Sequence, residues 1–190
     1  ALSMKRPDYD SQTNLAELTA DVLTRPGARF VRRLRFGLAS FESDNDWTAT
    51  LAAVLAAPQA GRLERLEFND YTYEDCEISW TAFGDFSRMW KGLPKLEWLN
   101  VRSGEGGTLG RIEHANLKTF IRESGGLGND ELEAIINAKW PQLEHLEATR
   151  RWGNVSHSTP EREVAARLAA EARQRAVVAA ARRAACRATW

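Results

Sequence analysis

Cysteine is nearly absent from this chain: Cys76 and Cys186 are the two in 190 residues, far apart and in no pair motif. That fits a reducing compartment better than a disulfide scaffold. Long apolar runs are missing as well. None reaches the roughly 20 residues that a membrane helix needs. Residues 1–25 mix Lys, Arg, Asp and Glu without the apolar segment of a signal peptide, so the expectation is a cytoplasmic protein with no membrane partner. Histidine is scarce, and His114, His145 and His157 show no metal-ligand spacing. The chain has no HExxH, no CxxC, no glycine-rich phosphate loop and no Gly-x-Ser-x-Gly elbow, so neither a metal nor a nucleotide cofactor is expected.

Net charge is also lacking, since 26 basic side chains meet 26 acidic ones. The balance is uneven along the chain. Residues 148–190 hold nine Arg, no Lys and three Glu, a net of plus six, which leaves minus six for residues 1–147. An acidic body argues against a nucleic-acid platform.

What the chain does have is a phrase used five times: VRRLRF at 31–36, LERLEF at 63–68, LEWLNV at 96–101, LKTFIR at 117–122 and LEHLEA at 143–148. An apolar residue, two variable ones, an apolar residue, a variable one and a usually apolar one form the strand signature of a leucine-rich repeat. The expected fold is α/β: a leucine-rich-repeat solenoid with a short curved parallel sheet on the concave side, helices on the convex side and a helical C-terminal tail. The expected domains are a disordered lead at 1–10, the repeat domain at 11–150 and a basic Ala/Arg-rich tail at 151–190.

Between the phrases, helices are predicted at 14–23 with Asn14 as cap, at 48–57, at 81–91 and at 130–140. Pro26, Pro58, Pro94 and Pro141 follow their ends. The equivalent positions Leu34, Leu66, Leu99, Phe120 and Leu146 are spaced by 32, 33, 21 and 26 residues. The 21-residue interval has no room for a helix, and Gly104, Gly106, Gly107 and Gly110 within it predict a tight, bare crossover.

The phrase also assigns faces. Core positions include Leu63, Leu66 and Phe68. Outward positions are Arg33, Arg35, Arg65, Glu67, Asn69, Trp98, Asn100, Arg102, Thr119, Ile121, Glu123, His145 and Glu147. Arg122 stands where an apolar residue belongs, so its strand either bulges or lets Arg122 reach past the core to an acid, and this strand is the expected local irregularity. Trp80, Trp90 and Trp140 are expected to fill the core. Trp98 differs, because an outward aromatic among polar neighbours suits a binding anchor.

Longer stretches carry a family resemblance: EISW at 77–80, GDFSRMW at 84–90, RSGEGGTLG at 102–110 and ESGGLGNDELEAIINAKWPQLEHLE at 123–147. Over about residues 12–147 the chain resembles bacterial leucine-rich-repeat proteins of myxobacteria and actinobacteria. Some of these are loosely described as regulators of molybdate metabolism or occur beside repeat-companion domains. The resemblance implies the repeat fold and an interaction role, and brings no activity with it. The tail departs from the group. It reads either as a helical cap over the last repeat or as altered sequence of the kind a misread GC-rich gene yields.

Three classes of function follow. The first is a non-enzymatic scaffold binding a protein partner on the concave sheet face through Arg35, Glu67, Trp98, Asn100, Arg102, His145 and Glu147. The second is a metal-dependent hydrolase using the acidic loop at 70–77, with Asp70, Glu74, Asp75 and Glu77, although an ordinary acidic loop explains those residues as well. The third is a purely structural domain of a larger assembly. Asp44, Asn45 and Asp46 resemble part of a calcium loop but lack its glycine and distal glutamate, so a solvated turn with Asp46 as helix cap is expected. His145 and Glu147 share a strand face and have the reach to form a hydrogen-bonded pair, but without a nucleophile they read as two polar groups of the concave surface.

Overall fold

The computed structural model describes residues 1–5, 14–40 and 45–150. The tail at 151–190, with His157 and Cys186, the second half of the lead, and Asp44 lie outside them. In chain order the elements are β1 (Leu2–Met4), α1 (Leu15–Thr24), β2 (Arg33–Phe36), α2 (Thr48–Ala56), β3 (Arg65–Phe68), β4 (Gly84–Asp85), α3 (Met89–Gly92), β5 (Trp98–Ser103), β6 (Gly107–Thr108), β7 (Thr119–Ser124), α4 (Asn129–Ile136) and β8 (His145–Arg150). Six strands form one parallel sheet in the order β1-β2-β3-β5-β7-β8, while β4 and β6 pair in a second, two-stranded sheet.

The expected leucine-rich-repeat solenoid is corrected by this topology. The fold is a mixed α/β fold whose main sheet does not follow strand number, because β4 and β6 leave it for a sheet of their own. Among the described residues, four α-helices of 10, 9, 4 and 8 residues are spread unevenly among the crossovers, and none lies between β5 and β7. Strand and helix alternate from β1 to β3 and again from β7 to β8, but the connections differ in length and content. The physical reason is visible in the unequal intervals between phrases, which give each connection a different length and filling.

Each phrase supplies a strand because alternation sends every second side chain to one face. One inward row runs Leu2, Leu34, Leu66, Leu99, Phe120 and Leu146, and the next runs Met4, Phe36, Phe68, Val101, Arg122 and Ala148. Phe36 and Phe68 stack at 5.2 Å along the second row. Leu2–Met4, assigned to the disordered lead from sequence, instead pair with β2 as the first edge strand.

The helices follow from caps and apolar spacing. Asn14 Oδ1 accepts the Ala16 and Glu17 N–H groups at 2.9 and 3.2 Å, and the extended Arg25 before Pro26 ends α1. Asp46 Oδ1 takes the Thr48 N–H at 2.7 Å at the start of α2, which packs on α1. The stretch at 81–91, predicted as helix, is instead β4 followed by the single turn α3. Gly84 lies there at φ 78°, in the left-handed region that interrupts a helix.

Buried polar side chains tie the crossovers to the core. Trp47 Nε1 donates to Gly37 O at 2.9 Å, Trp90 Nε1 to Leu109 O at 2.7 Å and Gln59 Nε2 to Leu23 O at 3.0 Å. Trp90 is buried as expected and Trp140 packs half-buried on Phe120, their rings 5.5 Å apart, but Trp80 is 68% exposed and fills no core.

Arg122 is the largest departure from an apolar interior. The β5/β7 register is unbroken over six pairs from Trp98↔Thr119 to Ser103↔Ser124, so the strand carries no bulge and the expected irregularity is absent. Arg122 is fully buried and reaches Glu131 of α4 with two nitrogens, Nε to Oε1 and Nη2 to Oε2. It also donates to Ser103 O (3.1 Å), Gly104 O (3.0 Å) and Glu123 O (2.6 Å), and lies 4.9 Å from the Phe83 ring centre. Burial pushes the Glu131 carboxyl up, against the pull of the Arg122 charge.

Candidate functional site: the outward sheet face

Parallel sheets usually bury both faces, so a polar outward face needs a reason. Here the outward positions form cross-strand ladders. One runs Ser3, Arg35, Glu67, Asn100, Ile121 and Glu147; a second runs Arg33, Arg65, Trp98, Thr119 and His145; a third runs Arg102, Glu123 and Thr149. All seven residues expected to bind a partner, Arg35, Glu67, Trp98, Asn100, Arg102, His145 and Glu147, lie on these ladders.

The middle of the face is crowded. Neighbouring strands place outward side chains side by side within reach of one another, and long ones cover short ones. Glu67 is 7% exposed and Asn100 8%, although both point away from the core. Two arginines hold Glu67. Arg65 Nε and Nη2 donate to its two oxygens at 2.7 and 3.2 Å, and Arg35 Nη2 approaches at 3.4 Å. Burial alone would raise the Glu67 carboxyl, but the hydrogen bonds and charges of Arg65 and Arg35 outweigh it and hold the group below the usual carboxylate value.

Trp98 is half-buried, not freely exposed, because the Arg65 guanidinium sits 4.1 Å from its ring centre. Arg65 was assigned the outward face from sequence without being counted among the binding residues. Aligning LERLEF with LEWLNV would have found it, since the register pairs Arg65 with Trp98. Arg102 donates to Tyr71 O at 3.3 Å, and its guanidinium lies 5.1 Å from the Tyr71 ring centre. The Tyr71 phenol donates to Arg102 O at 2.8 Å, and burial pushes its pKa up to about 12. His145 and Glu147 form an exposed pair at 3.6 Å.

Several polar atoms of this face are buried without a hydrogen-bond partner among the described residues: Asn69 Oδ1, Trp98 Nε1, Asn100 Oδ1 and Arg102 Nε. Three of the four belong to consecutive outward positions of β5. Each such atom costs about 1–3 kcal/mol when left unmet, so their clustering on one surface is a feature a folding argument alone does not supply.

The acidic loop divides among local duties. Asp70 accepts from Ser3 Oγ and approaches Arg35 at 3.9 Å. Asp75 accepts the Thr72 N–H at 2.7 Å and its hydroxyl at 2.9 Å, bonds that lower its pKa while closing a turn. Among the described residues no group of three or more His, Cys, Asp or Glu side chains is placed to hold a metal ion. No helix among them is long and apolar enough to cross a membrane.

No protein-family model matches the chain, and no curated protein does. The fold is similar to that of a solved structure of a Bacteroides fragilis protein, with 22% identity and a TM-score of 0.67. The similarity covers 85% of this chain and 47% of the other, so the chain spans about half the length of that protein. At this identity the likeness speaks for the fold alone.

Proposed function

We propose that the chain is a non-enzymatic interaction module that binds a protein partner on the outward face of its main sheet, in the cytoplasm. The observation that carries this reading is the buried, unpartnered Trp98 Nε1 and Asn100 Oδ1 at the centre of a face that mixes both charges. An aromatic anchor among neutralised charges, with polar groups still to be met, is the composition of an interface centre. The cytoplasmic assignment is supported by Cys76, a half-buried free thiol.

Replacing Trp98 with Ala tests the reading. The side chain lies outside the inward rows, so the fold should persist, while affinity for a partner isolated from the native source should fall by about 2 kcal/mol or more. Unchanged affinity in titration calorimetry, together with a lowered unfolding midpoint, would assign Trp98 a packing role and reject the proposal.

A further inference from the structure

We infer that the loop at 71–80, on the rim beyond the C-terminal ends of the sheet strands, is the docking site for arginines of this chain's own segment 151–190. The feature that calls for an occupant is a pair of aromatics. Among the described residues Tyr73 is 75% exposed and Trp80 68%, so two of the three most exposed large apolar side chains share this one loop. No cation or second ring among the described residues covers either of them. The loop is fixed from beneath. Tyr71 Oη and Thr81 Oγ1 meet at 3.2 Å across its base, and the Gly104 N–H donates to Thr81 Oγ1 at 3.1 Å. Ile78 is buried, and a Cβ on Gly125 would lie 3.1 Å from its Cγ2. A loop already ordered loses little freedom when it binds.

Charge and position select the occupant. Residues 71–80 carry Glu74, Asp75 and Glu77 and no base. Asp75 closes the Thr72 turn and feels the Lys5 charge, and Asp70, just before the loop, is engaged by Ser3 and Arg35. Glu74 and Glu77, with Glu105 lying over Gly126 on the same rim, have no ion pair among the described residues. Open aromatics beside such carboxylates suit guanidinium groups, which stack on a ring and fork to an acid. Residues 151–190, outside the described residues, hold eight Arg, no Lys and three Glu, and from 172 onward five Arg and no acid. They also start beside the loop. Ser103, Ser124 and Arg150 pair in register at the strand ends. Gly125 follows Ser124 and packs against Ile78 and Ser79, so residue 151 departs about one strand spacing, roughly 4.8 Å, from that contact. A chain of 40 residues has the length to reach all of the loop. Tethering of this kind gives an effective concentration on the order of mM, which a free basic segment must exceed to displace it.

The contact lies apart from the outward sheet face, so its test is independent of the role of that face. Limited trypsin digestion of the full chain, read by mass spectrometry, reports how often the segment is undocked, because cleavage tracks the open population when opening is fast. At low salt the bonds after Arg173, Arg175, Arg182, Arg183 and Arg187 should be cut slowly. Glu74→Gln with Glu77→Gln, Trp80→Ala, and the parent in about 0.5 M salt should each be cut there about fivefold faster or more. The paired Glu variant removes no ion pair of the body, so its unfolding midpoint should match the parent's and its cleavage rate reports docking alone. Equal rates at these arginines in the parent and both variants at low salt would overturn the inference. Two further measurements fix the occupant. Protection that is lost when the protein is diluted about tenfold would assign the site to a second copy's segment and overturn docking within one chain. A synthetic hexa-arginine peptide should bind the parent about tenfold more weakly than a variant carrying Arg173→Gln, Arg175→Gln, Arg182→Gln, Arg183→Gln and Arg187→Gln. Equal binding to the two would mean that the loop stands open for a basic partner, and binding to neither that it takes no guanidinium; both results reject the docked segment.

Discussion

The Arg65 guanidinium carbon lies 4.1 Å from the centre of the Trp98 ring, and the same group grips both oxygens of Glu67. One side chain thus closes an aromatic contact between neighbouring strands and an ion pair within its own. Arg65→Lys keeps the charge but not the flat fork that makes both contacts together. It should destabilise the fold by about 1 kcal/mol in urea titration and red-shift the tryptophan emission as Trp98 gains solvent. An emission spectrum that does not move would mean that Arg65 leaves the ring open in solution.

Glu67 gives a pH signature. Its folded pKa is lowered below the ordinary value of 4.5, so its contribution to stability is fully present above that value and lost as pH falls through the folded one. The stability difference between the parent and Glu67→Gln should be constant near neutrality and shrink steadily below about pH 4.5. A difference that grows toward acid pH would contradict the two-arginine clamp.

The strands were legible because period-two alternation is a local property. Leu34, Leu66 and Leu99 recur in a phrase that reads the same wherever it occurs, and each occurrence pairs in register. The connections were not legible, because different structures can bury the same apolar spacing. Phe83, Phe86, Met89 and Trp90 fit a helical stripe, yet Phe83 and Phe86 flank a strand and sit edge to face at 5.5 Å. The β1 strand carries only Leu2 and Met4 as signal, too little to register as a phrase. On the candidate face, outward direction was readable but burial was not. Glu67 is held by Arg65 and Arg35, whose reach no periodicity records.

Arg122 offers a sharper test of the interior. It is fully buried, and its charge is met by Glu131 and three carbonyls. Glu131→Ala leaves that charge unpaired and should cost about 3–5 kcal/mol, measured as a fall in the urea midpoint. The double variant Arg122→Met with Glu131→Leu removes both charges and should recover most of the loss. Additive losses in the double variant would show that the contacts of Arg122 to the Ser103, Gly104 and Glu123 carbonyls, and not its ion pair with Glu131, carry its contribution.

The crossover after β5 depends on a close backbone approach that one methyl group can test. A Cβ added at Gly104 would lie 2.6 Å from Thr81 O and 2.8 Å from Ile78 O, both main-chain atoms that have nowhere to retreat. The carbonyl of Gly104 also accepts from Arg122 Nη2, so displacing it disturbs the buried arginine as well. Gly104→Ala should therefore cost about 1–3 kcal/mol, the range for overpacking a dense interior. Gly61 is the control, because a Cβ there meets nothing within 4 Å. With ordinary backbone angles and open space, Gly61→Ala should stabilise by about 0.4–1 kcal/mol through the unfolded chain's lost freedom. Paired thermal and urea unfolding of the two variants separates steric from entropic effects. If Gly104→Ala unfolds with Gly61→Ala, at or above the parent midpoint, the close packing of this crossover against the 78–81 turn is wrong.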